Sequence, residues 1–367
     1  MRRLVILCIA AVFAAACAGP DEKYSVTVTI DGNTPAIVSG KAYLYNKDTR
    51  WAFRDTADIV NGRCEFVGRT MTPDFYYVSV EGLDGEIPLF LENVPVTIEG
   101  VDTLLSKASV KAGRAHELFM IEEKLKQDYR IDVIMNGYMN PSLGEARRQE
   151  IMDSVRTFMD LQGKLQDSLI AAEPESHFSL YYFSRDVYDM SLDSAKMILA
   201  RFESSPGFRH NERLEEVKAV VDREERLQTG LVAPDFTMYE VTGKQLTFSD
   251  VYKKNRITML DFWASWCGPC RQFNPELVEI YARFHNRGLE IVGVSLDRDT
   301  ISWETAITRD RLNWYHVSDL KMWHNEVAKL YNVRYIPQNI FVDQEGRIVA
   351  RRLQEDEIPA FLEEYLK

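Results

Sequence analysis

A chain of 367 residues is too long for one hydrophobic core at about 100–200 residues per domain, so two or three domains are expected. Apolar content of 46% and charged content of 27%, with 19 Gly and 13 Pro, exclude a collagen-like, low-complexity or disordered chain. A formal net charge of −12, from 44 basic and 56 acidic side chains, repels phosphate and speaks against nucleic acid as a partner. Five cysteines are too few for a disulfide scaffold of this length.

Met1-Arg2-Arg3 followed by the unbroken apolar run Leu4–Ala16 reads as an export signal over residues 1–16, because the run is too short to cross a bilayer of roughly 30 Å as a helix. Ala14-Ala15-Ala16 then precedes Cys17, and this pattern resembles the lipobox of bacterial lipoproteins, whose cysteine is lipidated and anchors the protein. One departure is Ala14, where the lipobox usually has Leu. A plain signal peptide cut after Ala16 or Ala18, leaving a periplasmic protein with no lipid, is the alternative. Residues 17–23 form a short linker whose acidic stretch resembles the surface-export signals of Bacteroidetes lipoproteins, so a periplasm-facing and a surface-exposed placement in the cell envelope both stay open. Loss of Arg2 and Arg3 with the leader makes the chain more acidic, so attachment to an anionic membrane would come from acyl chains and not from charge.

From Tyr24 to about 105 the pattern has a period of two. Tyr24, Val26, Val28 and Ile30 alternate with Ser25, Thr27 and Thr29, as a half-buried strand requires. Ala42–Tyr45, Phe75–Val80, Ile87–Leu91 and Val96–Ile98 are further strands, and Asn61-Gly62 between Ile59-Val60 and Cys64-Glu65-Phe66 is a two-residue hairpin signal. About seven short strands fit a small all-β sandwich or barrel over residues 24–105. Asp55, Asp58 and Glu65 read as solvated strand faces, and Cys64, beside Phe66, as a buried small hydrophobe.

From 106 to 229 the texture is helical. Ile151, Val155, Phe158, Leu165 and Leu169 recur at three- and four-residue intervals, and Glu117–Tyr129, Leu192–Phe202 and Arg213–Leu227 behave alike. Breaks fall at Asn140-Pro141, Glu173-Pro174-Glu175 and Ser205-Pro206-Gly207. Four or more helices are expected, with Phe178, Tyr181, Tyr182 and Phe183 packed in their core or facing a ligand.

Beyond Gly230 strands and helices alternate, which means a sheet covered by helices over 230–367. Ile257–Trp263 suits a buried central strand, Arg271–Phe284 a helix, and Leu289–Leu296 a second strand. Ser302–Arg309 and Trp323–Tyr331 read as helices, Asn339–Val342 and Arg347–Ala350 as a hairpin, and Ile358–Leu366 as a closing helix.

The chemistry lies in Trp266-Cys267-Gly268-Pro269-Cys270. Two cysteines three residues apart on a first helical turn stand one above the other, near the separation a disulfide needs. Cys267 at the helix N-terminus meets unpaired N–H groups and the dipole, which favour a thiolate and make it the attacking sulfur; Cys270 is then the resolving thiol. A Cys-x-x-Cys pair can equally be half of a zinc site. Here the other half is missing: Cys8 is in the leader, Cys17 awaits a lipid, Cys64 is isolated, and the six histidines show no ligand spacing. No metal and no nicotinamide or flavin fingerprint is expected, so a redox-active Cys267–Cys270 disulfide would be the whole cofactor.

Asp261-Phe262-Trp263-Ala264-Ser265-Trp266-Cys267-Gly268-Pro269-Cys270 resembles the active-site strand–helix junction of the thioredoxin superfamily, in which Trp266 faces substrate and Gly268 and Pro269 shape the dithiol turn. Pro275 falls where that family kinks the helix. Ile336-Pro337 resembles its cis-proline loop, which packs on the dithiol and receives the substrate backbone. The surplus length between Cys270 and Pro337, the entry Pro234-Asp235-Phe236 and the segment Val294-Ser295-Leu296-Asp297 are similar to the TlpA/ResA-like envelope reductases. The whole-chain order resembles a Bacteroidetes lipoprotein type with a DUF4369-like β domain, a helical region and a C-terminal α/β thioredoxin-like fold. Many TlpA/ResA-like proteins carry a glutamate three residues past the second cysteine, where this chain has Phe273; the proton-handling role would pass to Asp261, matching thioredoxin's buried acid and acting as general base toward Cys270.

The resemblance implies a membrane-anchored thiol-disulfide oxidoreductase that reduces or isomerises disulfides of exported proteins and takes electrons from a membrane thiol relay. Two alternatives stand beside it. A thiol peroxidase of the AhpC/TSA kind would resemble Pro-x-x-x-Thr-x-x-Cys, but Leu260 and Ala264 occupy the Pro and Thr places before Cys267. A non-enzymatic surface or binding lipoprotein would use the β and helical regions, with the dithiol auxiliary.

Overall fold

The computed structural model describes residues 23–30, 39–47, 54–101, 104–138 and 142–367. The leader, Cys8, Cys17 and the Asn140-Pro141 break lie outside the described residues. The chain divides into two compact units: one runs through Asp186 and takes in Met197–Glu216, and the other comprises Val187–Lys196 and Val217–Lys367.

In the first unit, the strands are β1 (Tyr24–Ile30), β2 (Ser39–Tyr45), β3 (Arg54–Val60), β4 (Arg63–Gly68), β5 (Asp74–Val80), β6 (Ile87–Leu91), β7 (Pro95–Val101) and β8 (Ser109–Lys111). All eight belong to one continuous ladder, in the order β6-β5-β2-β3-β4-β1-β7-β8. The strict alternation of β1 puts Tyr24, Val26, Val28 and Ile30 inside, beside Cys64 and Phe66 of β4 and Val96 and Ile98 of β7. Each such side chain contributes about 1.5–3 kcal/mol on leaving water. The β3–β4 turn holds Asn61 and Gly62, both at positive φ (54° and 72°), as a two-residue hairpin of this kind demands. Cys64 is buried, and burial pushes its thiol up to about 11, so it is protonated at neutral pH.

Helices α1 (Arg114–Asp128), α2 (Ile131–Tyr138), α3 (Glu145–Ala172), α4 (His177–Asp186), α5 (Leu192–Ser204) and α6 (Glu212–Arg226) follow. Phe178, Tyr182 and Phe183 of α4 are buried, whereas Tyr181 stays half-buried and packs edge-on to Phe75 and Phe90. Two buried carboxylates in this unit are paired. Asp74 meets Arg213 at 2.5 Å, and Arg213 also donates to Ser184 Oγ and stacks over Tyr181. Glu122 accepts from Gln162, Gln166 and Tyr182, with Lys126 3.7 Å away. Tyr181 and Tyr182 line a cavity of about 620 Å³ beside Phe75, Phe119 and Glu122.

The second unit is a seven-stranded sheet ordered β10-β9-β13-β12-β11-β14-β15, where β9 is Thr237–Glu240, β10 Gln245–Thr247, β11 Ile257–Trp263, β12 Leu289–Ser295, β13 Tyr315–Ser318, β14 Gln338–Asp343 and β15 Ile348–Arg351. Its helices are α7 (Phe248–Tyr252), α8 (Gly268–Phe284), α9 (Thr300–Asp310), α10 (Glu326–Leu330) and α11 (Ile358–Tyr365). β11, β12 and β13 run parallel, and β14 pairs antiparallel with β11. Every residue of β11 is buried, because helices cover both faces of a central parallel strand. Leu260 and Phe262 enter one core; Ile257 and Met259 enter another with Phe273, Leu277 and Ile358.

Two expectations need correction. The helix expected at Trp323–Tyr331 is α10, Glu326–Leu330, preceded by a 3-10 turn at Met322–His324. Asn325 caps α10, accepting from Val327 N and Ala328 N, so Trp323 belongs to the loop before it. The helix expected from Arg271 begins three residues earlier, at Gly268, because the first cysteine itself supplies its cap.

Candidate active site

β11 ends at Trp263, and a turn closed by Cys267 N donating to Ala264 O at 3.1 Å leads into α8. Cys267 is the N-cap: its backbone is extended (φ −79°, ψ 100°) and its Sγ accepts from Cys270 N at 3.2 Å. Gly268 and Pro269 occupy the first helical positions, where a missing proline N–H costs nothing because no carbonyl awaits it. Cys267 and Cys270 form a disulfide with Cα atoms 5.3 Å apart. Both are almost covered, at 4% and 2% exposure, while the neighbouring Trp266 is 46% exposed. Pro275 lies inside α8.

Ile336–Pro337 is a cis peptide, and Ile336 O lies 3.8 Å from Cys267 Sγ. The oxidised sulfur carries no proton, so this is a contact in the disulfide form and a hydrogen bond only after reduction. The carbonyl of the cis-proline peptide thus borders the first cysteine.

Asp261 is buried on β11, opposite Gly293 of β12 and Asn339 of β14. Gly293 leaves room where a Cβ would come within 2.6 Å of His316 Nδ1. No hydrogen bond or ion pair engages the Asp261 carboxylate among the described residues, and burial alone pushes it up to about 7. It lines a cleft of about 560 Å³ together with Phe273, Glu276, Pro337 and Gln338. Glu276, one turn beyond Phe273, brings a carboxylate to that cleft.

Sequence reasoning missed what holds the turn that carries Cys267. Asp297, 1% exposed after β12, accepts from Ser265 N at 3.0 Å, from Ser265 Oγ and, at 2.7 Å, from Ser295 Oγ. Arg271 donates to Ser265 O at 3.0 Å while paired with Asp310, which also accepts from Asn274. Trp266 Nε1 donates to Leu296 O at 3.2 Å. The run Ser295-Leu296-Asp297 was visible in the sequence, but its partners lie about thirty residues upstream. Among the described residues no group of His, Cys, Asp or Glu is placed to hold a metal ion. Leu260 and Ala264, where a peroxidatic frame needs Pro and Thr, are fully buried apolar side chains.

The AhpC/TSA family model matches residues 229–351, and a domain of unknown function, DUF4369, matches 24–119. A curated relative, thiol-disulfide oxidoreductase ResA of Bacillus thuringiensis subsp. konkukian, is 28% identical over 145 residues, 40% of this chain and 80% of that protein. Over this C-terminal segment the chain is similar to thioredoxin-like thiol-disulfide oxidoreductases. ResA of Bacillus subtilis is 29% identical to this oxidoreductase over 131 residues, 36% of this chain and 70% of that one. Among solved structures, the C-terminal domain of a putative thiol-disulfide oxidoreductase from Bacteroides thetaiotaomicron is 34% identical, covering 38% of this chain and 97% of that domain, with a TM-score of 0.36. The matched segment of this oxidoreductase includes the dithiol turn, Asp261, Asp297 and the cis-proline. No helix of the described residues is long and apolar enough to cross a membrane.

Proposed function

We propose that this chain is a membrane-anchored oxidoreductase that reduces or isomerises disulfides of exported proteins. The observation that carries the reading is the cysteine pair at the N-terminus of α8, with Ile336 O of a cis-proline peptide 3.8 Å from Cys267 Sγ, and an unpaired buried carboxylate, Asp261, on the strand that leads into it.

In the reduced enzyme, Cys270 N and the helix dipole stabilise the Cys267 thiolate. It attacks one sulfur of a substrate disulfide, forming an intermolecular S–S bond and expelling the other substrate sulfur as thiolate. Asp261 takes the proton of Cys270, directly or through water in the cleft; with a pKa near 7 it holds that proton loosely enough to return it. The Cys270 thiolate attacks Cys267, closing the enzyme disulfide and releasing the second substrate thiolate. Two electrons pass from the dithiol to the substrate, and an external membrane thiol relay restores them. Trp266 and the Ile336-Pro337 backbone hold the substrate chain; Gly268 and Pro269 keep the two sulfurs within bonding reach.

Cys17 lies outside the described residues, and its lipidation in the cell envelope is proposed from the lipobox-like pattern. The test of the reaction is turnover of an insulin-type protein disulfide with dithiothreitol as donor. The wild type accelerates it and Cys267→Ser does not; equal rates for both would sink the reading. Anchoring is checked separately: Cys17→Ala moves the protein from the membrane to the soluble fraction and removes a lipid mass increment.

A further inference from the structure

Beside the dithiol, two large aromatic side chains stand half in solvent. Trp266 is 46% exposed and Trp323 is 42% exposed, and their rings meet edge to face with centroids 5.9 Å apart. Indole carbon surface left in water is unfavourable for an isolated protein, and exposed tryptophan is enriched where a partner covers it. Trp266 is held by its own Nε1–H on Leu296 O. Trp323 comes from the segment after β13, far along the chain from Trp266, and the backbone that brings it there is strained.

Leu320 and Met322 both sit at left-handed φ, 59° and 51°. Neither has the short polar side chain that eases this conformation in Asn or Asp, so each costs free energy that other contacts must offset. The contacts are visible. Asp319 accepts from Lys321 N at 3.1 Å, Asn325 Nδ2 at 2.8 Å and Glu326 N at 3.1 Å, and Leu320 N donates to Ser318 Oγ at 3.1 Å. Met322 N reaches back to Asp297 O, the residue whose carboxylate holds Ser265. Strain kept in place by this many bonds clusters at functional sites. Here its visible product is the placement of the Trp323 ring against Trp266.

We propose that Trp323 is a specificity-determining residue: with Trp266 it forms an aromatic ledge that receives a large apolar side chain flanking the disulfide cysteine of a polypeptide substrate. The inference rests on the oxidoreductase reading above and narrows its substrate class to extended or unfolded chain segments. Such segments expose the apolar neighbours of a cysteine that a folded protein hides. The ledge is continuous with the dithiol, so its occupant is the chain whose sulfur is being attacked.

The experiment uses the full chain and two synthetic disulfide-bridged peptides that are identical except for Phe or Gly beside the cysteine. The wild type favours the Phe peptide by about 10-fold in kcat/KM, chiefly through KM, as expected for loss of one aromatic contact. Trp323→Ala brings that ratio to near one, and Trp323→Phe, which keeps an aromatic edge, restores most of it. A wild-type ratio near one, an unchanged ratio in Trp323→Ala, or equal loss in Trp323→Phe overturns the proposal. A wild-type dimer that Trp323→Ala dissociates, with the ratio intact, assigns the ledge to self-association and overturns it too. Failure of the wild type to reduce either peptide takes down the oxidoreductase reading itself.

Discussion

Two buried carboxylates of the first unit and one of the second are treated in opposite ways. In the first, Asp74 is matched by Arg213, and Glu122 by two amides, a phenol and Lys126, so each charge taken out of water finds partners. In the second, the Asp261 carboxylate, buried in the middle of a sheet, has none among the described residues and is pushed up to about 7. A satisfied buried charge holds structure together, whereas an unsatisfied one near neutral pKa is able to move a proton. Asp261 differs from Glu92 of the first unit, which burial also pushes up to about 7, in that Glu92 accepts from Ala115 N and Asp261 has no partner among the described residues.

The largest effect expected from breaking this contrast is in the first unit. Arg213→Ala strands the Asp74 carboxylate and should destabilise by about 3–5 kcal/mol, read by denaturant unfolding, while activity per folded molecule stays at the wild-type level. A loss of activity without a loss of stability would mean that this pair is not merely structural.

Asp261→Asn should do the reverse. Because the folded pKa lies above the unfolded value of 3.8, the folded state holds this proton more tightly. Stability from this group is therefore complete below about pH 4 and lost as pH rises toward 7, by up to roughly 4 kcal/mol. The Asn variant escapes that loss, so it should unfold later than the wild type at pH 8 and alike at pH 4. Its resolution step should slow about 10–100-fold and lose its dependence on pH near 7, measured by single-turnover quenching. An unchanged pH profile would remove Asp261 from proton handling.

A smaller effect sharpens the comparison within the second unit, where Asp297 is a buried carboxylate with partners. Asp297→Ala removes three hydrogen bonds from Ser265 and Ser295, and a loss of about 2–4 kcal/mol is expected. Alkylation of reduced Cys267 should slow a few-fold as its turn loosens. Unaltered stability would show that Arg271 alone suffices to hold the turn.

Much of the second unit was legible because its signals are local. The apolar run Ile257–Trp263, the cysteines three apart and Ile336-Pro337 each state their structure within a few neighbouring residues. In the first unit, alternation in β1 and Asn61-Gly62 were equally plain. What stayed hidden depends on contacts between distant segments. Asp297 meets Ser265 across 32 positions, and Glu122 meets Tyr182 across 60. Trp323 looked like the start of a helix because apolar residues follow it at helical spacing; Asn325 just before Glu326-Val327-Ala328 was the cap signal that placed the start later. The left-handed Leu320 and Met322 left no trace in the sequence, since nothing in those residue types favours that conformation. The β9–β10 hairpin was overlooked although Thr242-Gly243 marks its turn, with Gly243 at φ 81°.

The central claim is that Cys267 attacks and Cys270 resolves, and trapping tests it most directly. Cys270→Ser, reduced and mixed with a disulfide-bonded protein, should accumulate a mixed disulfide that mass spectrometry places on Cys267, while Cys267→Ser accumulates none. A mixed disulfide on Cys270 in the Cys267→Ser variant, or none in either, would contradict the account.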